Sequence, residues 1–167
     1  MSIPLVKDYE AHVQEIAPIH NLDPLLVSAI IQVESSGNKW STRYEPLWHY
    51  FKDIDAWSRK IIPHTTVNTE MIHQQTSWGL MQVMGSVARE LGFDGHLPEL
   101  TQARINILLG CKQLVRVNRP GYIVDDQIAA YNAGSARRSA NGLLENQSYV
   151  DKVKAIWTML KQAKHLA

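Results

Sequence analysis

Apolar side chains recur at helical spacing through most of this chain, and strand-like alternation is hard to find. Leu5, Tyr9, Val13 and Ile16 share one face of a predicted first helix over 4–17, which Pro18 closes. A second predicted helix carries the nearly unbroken apolar run Leu25-Leu26-Val27-Ser28-Ala29-Ile30-Ile31-Gln32-Val33. Asp23 before it suits an N-cap, Pro24 suits the first helical position, and Gly37 is a stop signal. Residues 38–76 break the pattern, with Pro46, Pro63 and many polar positions; a short helix around Trp48–Ile62 fits there. Ser86–Leu91 reads as a short helix stopped by Gly92. Thr101 is the expected cap of a long helix to Val117, with Ile105, Leu108, Leu109 and Val115 facing inward. Asp125 or Asp126 opens the next helix and Gly134 ends it. Tyr149, Val153, Ile156 and Leu160 mark a last helix over about 147–163. The expectation is one mainly α-helical domain over residues 1–167, with an irregular insertion at about 40–76 that has room for a small hairpin.

The length of 167 residues suits one domain with a real core. A net charge of +1 gives no global argument for a polyanion partner. Residues 1–100 carry 7 basic and 12 acidic side chains, whereas 101–167 carry 10 and 4. That C-terminal excess is read first as a solvated helix face and second as a contact for an anionic polymer such as cell wall. The single cysteine, Cys111, excludes an internal disulfide and lies in an apolar stretch, which suits a small core residue. No run approaches the length of a membrane span.

One residue stands against the hydrophobic pattern. Glu34 ends the apolar run, and Ile31, Ile30 and Val27 lie three, four and seven residues before it on the same face. Burial disfavours its charged form, and the negative end of the helix dipole repels a carboxylate in the last turn. Both effects hold the proton on, as a general acid for glycoside cleavage requires. The competing reading is a solvated glutamate at a frayed helix end.

Three segments sharpen this: Glu34-Ser35-Ser36-Gly37-Asn38, Ser77-Trp78-Gly79-Leu80-Met81-Gln82-Val83 and Ala129-Ala130-Tyr131-Asn132-Ala133-Gly134. In this order they resemble the soluble (SLT-type) lytic transglycosylases, lysozyme-like muramidases related to goose-type lysozyme. Leu22-Asp23-Pro24 and Ser148-Tyr149-Val150-Asp151-Lys152-Val153 fit the same family, so the resemblance runs from about residue 18 to 160. The family's Gly-Leu-Met-Gln segment usually follows the acid sooner than at residues 34 and 79, so 40–76 contains an insertion. Lys39 replaces a common proline, and Gly85-Ser86-Val87-Ala88 replaces a common Pro-Thr-Ala.

The resemblance implies a lysozyme-like fold and places Glu34 as catalytic acid/base. It implies protonation of the oxygen between N-acetylmuramic acid and N-acetylglucosamine, then ring closure by the muramyl C6 hydroxyl to a 1,6-anhydro product. Most glycosidases use two carboxylates; assistance from the substrate's own acetamido group lets one suffice. Tyr131 matches the family's active-site tyrosine, as a phenol that hydrogen-bonds the acid or orients the sugar. Asn132 is a candidate groove residue or a helix-end residue. Gly79 allows close chain approach, Gln82 offers donors and acceptors to the sugar, Met81 an apolar wall, and Ser77 a hydroxyl near the acetamido group. Tyr149 is a candidate contact to the catalytic groups or a packing residue. Leu80 and Val83 read as core.

Six of the 13 aromatic residues fall between Trp40 and Trp57, so the insertion is either a satellite core or a surface for stacking sugars. It also contains Glu45, Asp53, Asp55 and Glu70. A general base for water among them makes the protein a hydrolytic lysozyme instead, with Glu45 the first candidate. A third reading is a wall-binding module without turnover.

The seven histidines form no HExxH pair or Cys-His cluster, and neither GxGxxG nor a P-loop is present. The proposed chemistry needs no metal or organic cofactor. The expected partner is the glycan strand of peptidoglycan, without nucleic acid or membrane insertion, and the expected state is a monomer. The N-terminus lacks the basic start and apolar run of a secretory signal. That points to synthesis in the cytoplasm and action on the wall after lysis, as in a phage endolysin, or delivery as part of a virion or secretion apparatus.

Overall fold

A computed structural model describes residues 9–165. Among them lie eight α-helices, one 3-10 helix and one small antiparallel sheet, as the helical periodicity leads one to expect. The chain forms two compact units, one of residues 9–33 with 111–165 and the other of residues 34–110; the divisions fall inside two helices.

In the first unit, α1 (Glu10–Ile19) buries Val13, Ile16 and Ala17. Residues 4–8 of the expected first helix lie outside the described residues. Pro18 does not close α1 but sits in its last turn, and the chain leaves through Asn21 at φ 55°. α2 (Pro24–Ser35) starts where Asp23 and Pro24 place it: Asp23 Oδ1 accepts from the Leu25 amide at 2.9 Å. The other Asp23 oxygen accepts from the Trp157 indole at 2.9 Å, which fastens the start of α2 to α8 (Gln147–His165). α7 (Val124–Ala133) packs on α8. Asp126, three residues into the first turn of α7, accepts from the Ile123 amide at 3.1 Å. Gly134 ends α7 at φ 77°, a backbone state that costs glycine nothing.

Three of the C-terminal basic residues are paired with acids of the same stretch. Lys154 meets Asp125 at 2.8 Å, Arg138 meets Asp126, and Arg137 meets Glu145 at 3.3 Å. α6 (Ala103–Val117) buries Asn106, Ile107, Leu109, Cys111, Leu114 and Val117. Its inward face is therefore turned from the expected one, and Val115 is 43% exposed. Burial pushes the Cys111 thiol up to about 12, so it is a core residue without thiolate chemistry.

The second unit holds β1 (Thr42–Tyr44), α3 (Ile54–Lys60), α4 (Val67–Gln74), β2 (Thr76–Trp78), β3 (Val83–Met84), α5 (Gly85–Glu90) and a 3-10 helix (Leu97–Thr101). β2 is central and buried, with Ser77 opposite Arg43 on one side and Met84 on the other. The strand pair β1–β2 brackets the insertion, and the tight hairpin β2–β3 follows it. Helix within the insertion is split in two, α3 beginning six residues later than expected. Thr101 does not cap α6; its hydroxyl donates back to the Pro98 carbonyl at 2.7 Å, closing the 3-10 helix instead. No helix among the described residues is long and apolar enough to cross a membrane.

Candidate active site

Glu34 stands in the last turn of α2 and is half-buried. The helix stops one residue later, as Ser36 and Gly37 turn left-handed at φ 52° and 78°. The Ser35 hydroxyl donates to the Leu80 carbonyl at 2.7 Å. The end of the acid-bearing helix is thus fixed to the turn Gly79–Gln82, and two of the three motif segments meet in one unit.

That turn is built by neighbours. Gly79 has φ 72°, and a Cβ there would come within 2.6 Å of both Asn106 Nδ2 and the Leu100 carbonyl. Its amide donates to the Ser41 carbonyl at 2.7 Å. The fully buried Asn106 accepts from the Met81 amide at 2.7 Å and donates to the Trp78 and Leu100 carbonyls at 2.7 and 2.9 Å. One side chain therefore bonds three main-chain groups from separate parts of the chain. Sequence reasoning missed it, although a polar residue between Ile105 and Ile107 is the same kind of signal that exposed Glu34.

The turn's side chains depart from their expected roles. Met81 is fully buried and fills the space left by Gly110, where a Cβ would lie 2.2 Å from its sulfur; it is core, not a sugar-facing wall. Leu80 and Val83 are buried as expected. Gln82 sits at φ 48°, and its amide nitrogen donates to the Ser41 and Gly79 carbonyls at 3.0 and 2.8 Å. Both amide protons are spent inside the protein, and its oxygen accepts from Ser77 Oγ at 2.9 Å. Ser77 is itself buried, with the Arg43 carbonyl as a second partner at 3.3 Å. Ser77 and Gln82 thus brace the wall of the turn instead of presenting free donors to a ligand.

The insertion's carboxylates separate cleanly. Glu70 is buried against Arg89, with Oε1–Nε at 2.8 Å and Oε2–NH2 at 3.1 Å. Gln74 donates to Glu70 at 3.0 Å, and Arg89 also donates to the Phe93 and Gly95 carbonyls at 2.8 Å each. The Trp57 ring covers the guanidinium at 4.6 Å. A carboxylate so enclosed is no base for water. Asp55 pairs with Arg59 and Asp53 with Lys52. Glu45 ends the edge strand: its amide donates to the Gln75 carbonyl at 2.8 Å, and its partly exposed carboxylate accepts from Arg43.

In the other unit, α7 carries Tyr131, half-buried, and Asn132, exposed. Asn132 accepts from Asn146 Nδ2 at 3.0 Å, and the Asn146 carbonyl accepts from the Tyr149 amide at 2.9 Å. Tyr149 lies half-buried in the first turn of α8. Asn132 and Tyr149 are thereby brought to one corner through Asn146. Among the described residues no group of three or more His, Cys, Asp or Glu side chains is placed to hold a metal ion.

The transglycosylase SLT domain family has a sequence model that matches residues 12–152. The chain belongs to this family. The match spans both units and all three motif segments, including the insertion. SLT transglycosylases are lysozyme-like, and the helical architecture agrees. The chain is in this general sense a peptidoglycan lytic transglycosylase, an enzyme of the cell wall. No curated protein matches it.

Proposed function

We propose that this SLT domain cleaves the β-1,4 bond between N-acetylmuramic acid and N-acetylglucosamine, with Glu34 as the only acid/base. Glu34 starts protonated and gives its proton to the glycosidic oxygen as the C1–O bond breaks. Its carboxylate then takes the proton of the muramyl C6 hydroxyl as that oxygen bonds to C1. A 1,6-anhydro ring forms, the acid is regenerated, and no water enters. Tyr131 takes the role its motif has in the family, a phenol acting on the acid or the sugar.

The observation that supports this reading most is the bond from Ser35 to the Leu80 carbonyl. It fixes the acid's helix end against a turn whose own shape is determined by Asn106 and Gly79. A general acid needs such fixed placement, because misplacement by about an ångström costs on the order of a hundredfold in rate. Glu34→Gln tests it: a positioned acid contributes at least about 10²–10⁴-fold, so turnover of purified peptidoglycan is expected to fall by that much while the fold persists. A variant with near-native turnover would remove Glu34 from the chemistry.

One observation favours a second reading. With Glu70 enclosed by Arg89, Glu45 is left as the carboxylate on the sheet that also carries Ser77, and it is partly open to water. In a hydrolase Glu45 would activate that water. Glu45→Gln would then abolish turnover, whereas the transglycosylase reading expects a modest effect.

A further inference from the structure

The aromatic side chains of the insertion do not close into a satellite core. Trp40 is 66%, Tyr44 52% and Tyr50 61% exposed, and Phe51 is open as well. Only Trp48 and Trp57 turn inward, the first to Ser86 and the second to Arg89. Exposed aromatics in this number within a dozen residues need a reason, since each leaves a large apolar face in water.

They are also held in place. The Asn38 side chain accepts from the Trp40 amide at 3.0 Å, and the Lys39 ammonium lies 5.1 Å from the Trp40 ring. The Tyr44 hydroxyl donates to Gln75 at 3.4 Å from a residue locked in the β1–β2 ladder. Tyr50 packs edge-on against Trp48 at 5.2 Å, and the Trp48 indole donates to the Tyr50 carbonyl at 2.9 Å. A fixed aromatic loses little freedom when a ligand lands on it.

Finally, the strip is continuous with the site described above. The Asn38 amide donates to the Ser35 carbonyl and the Ser41 amide to the Asn38 carbonyl, so a hydrogen-bonded turn leads from Glu34 to Ser41. The Ser41 carbonyl accepts from both Gly79 and Gln82. Six residues of chain span at most about 21 Å, which bounds the separation of Trp40 from Glu34.

We propose that Trp40, Tyr44 and Tyr50 form a stacking platform for the glycan strand, extending the footprint on a long substrate beyond the sugars at the scissile bond. The inference rests on the glycan-cleaving function proposed above. A pyranose ring offers an apolar C–H face and a rim of hydroxyl and acetamido groups. Aromatic faces serve the first, and the interleaved Lys39, Arg43 and Glu45 serve the second. The same interleaving disfavours a protein partner, because the core of a protein interface is depleted in lysine and glutamate.

The test uses the full chain carrying Glu34→Gln, to prevent cleavage, and peptide-free glycan strands as the probe. Trp40→Ala and Tyr50→Ala, singly and together, are compared with Trp40→Phe. The platform predicts about tenfold weaker binding of long strands for the double variant, recovered in part by Trp40→Phe. In the chain with Glu34 intact, turnover of a tetrasaccharide fragment stays unchanged while KM on long strands rises. Unchanged binding of long strands would overturn the proposal. So would equal losses on tetrasaccharide and long strands, which would make the aromatics supports of the fold. Self-association abolished by the same substitutions would make a second copy the occupant and also overturn it. Strand binding without any cleavage by the unaltered chain would refute the proposed reaction and leave the platform standing.

Discussion

Ser35 Oγ donates to the Leu80 main-chain oxygen across 2.7 Å, joining the residue after the candidate acid to the middle of the Gly79–Gln82 turn. The bond does two things at once. It ends α2 with a satisfied side chain, and it makes the position of Glu34 depend on whatever shapes the turn. The turn in turn depends on Asn106 and on two glycines.

Asn106 is the first place where this dependence is measurable. Asn106→Leu keeps the branched shape but removes the hydrogen bonds that Asn106 makes to the Met81 amide and to the Trp78 and Leu100 carbonyls. A buried unsatisfied group costs about 1–3 kcal/mol, and partial relaxation makes the sum less than additive. A loss of about 3 kcal/mol is expected in urea unfolding. A loss below about 1 kcal/mol would show that the turn holds itself.

The Gly110–Met81 contact predicts coupling between two substitutions. Gly110→Ala drives a Cβ to 2.2 Å from the Met81 sulfur and is expected to cost about 1–3 kcal/mol by overpacking. Met81→Ala opens a cavity and costs about 2–5 kcal/mol. The double variant fills part of that cavity, so its loss should be smaller than the sum by about 1 kcal/mol or more. Strict additivity in a double-mutant cycle would contradict the packing described.

Removing one partner of the Glu70–Arg89 pair leaves a buried charge alone. Glu70→Ala is expected to destabilise by about 3–5 kcal/mol, measured by thermal or urea unfolding. Glu70→Ala with Arg89→Met should cost less than the sum of the singles, although the Phe93 and Gly95 carbonyls lose their donor. If Glu70→Ala abolished turnover without changing stability, Glu70 would be catalytic after all.

His73 gives the acid limb of the stability profile a specific origin. Burial lowers its affinity for a proton, Glu70 opposes that, and Arg89 and His96 reinforce it. The ring stands edge-on to Trp78 at 5.5 Å. With the folded value below the unfolded one, the unfolded chain binds more protons, so stability falls as pH drops through about 6.5. His73→Gln should flatten this limb in unfolding measured between pH 5 and 7. An unchanged slope would place its cause elsewhere.

The helices were legible because their punctuation is local. Asp23 and Pro24 mark the start of α2 and Gly134 marks the end of α7, and each works through its own backbone. Glu34 stands out as a candidate in the sequence because a carboxylate at the end of an apolar run contradicts its surroundings, and it is half-buried in the last turn of α2. The strands were not legible, being two or three residues long, with β1 and β2 paired across an insertion that has two helices of its own. The Glu70–Arg89 pair was hidden because each partner lies in a polar stretch that reads as surface. The motif alone points Met81, Ser77 and Gln82 outward, whereas the neighbours that turn them inward, Gly110, Arg43 and Ser41, lie far along the chain.

The measurement closest to the central claim is mass spectrometry of the soluble products released from purified peptidoglycan, by the native chain and by Glu34→Gln. Products ending in 1,6-anhydro-N-acetylmuramic acid, absent with the variant, are the expected result and make Glu34 the acid/base of a transglycosylase. Reducing ends heavier by one water would contradict it and direct attention to Glu45 as the base of a hydrolase.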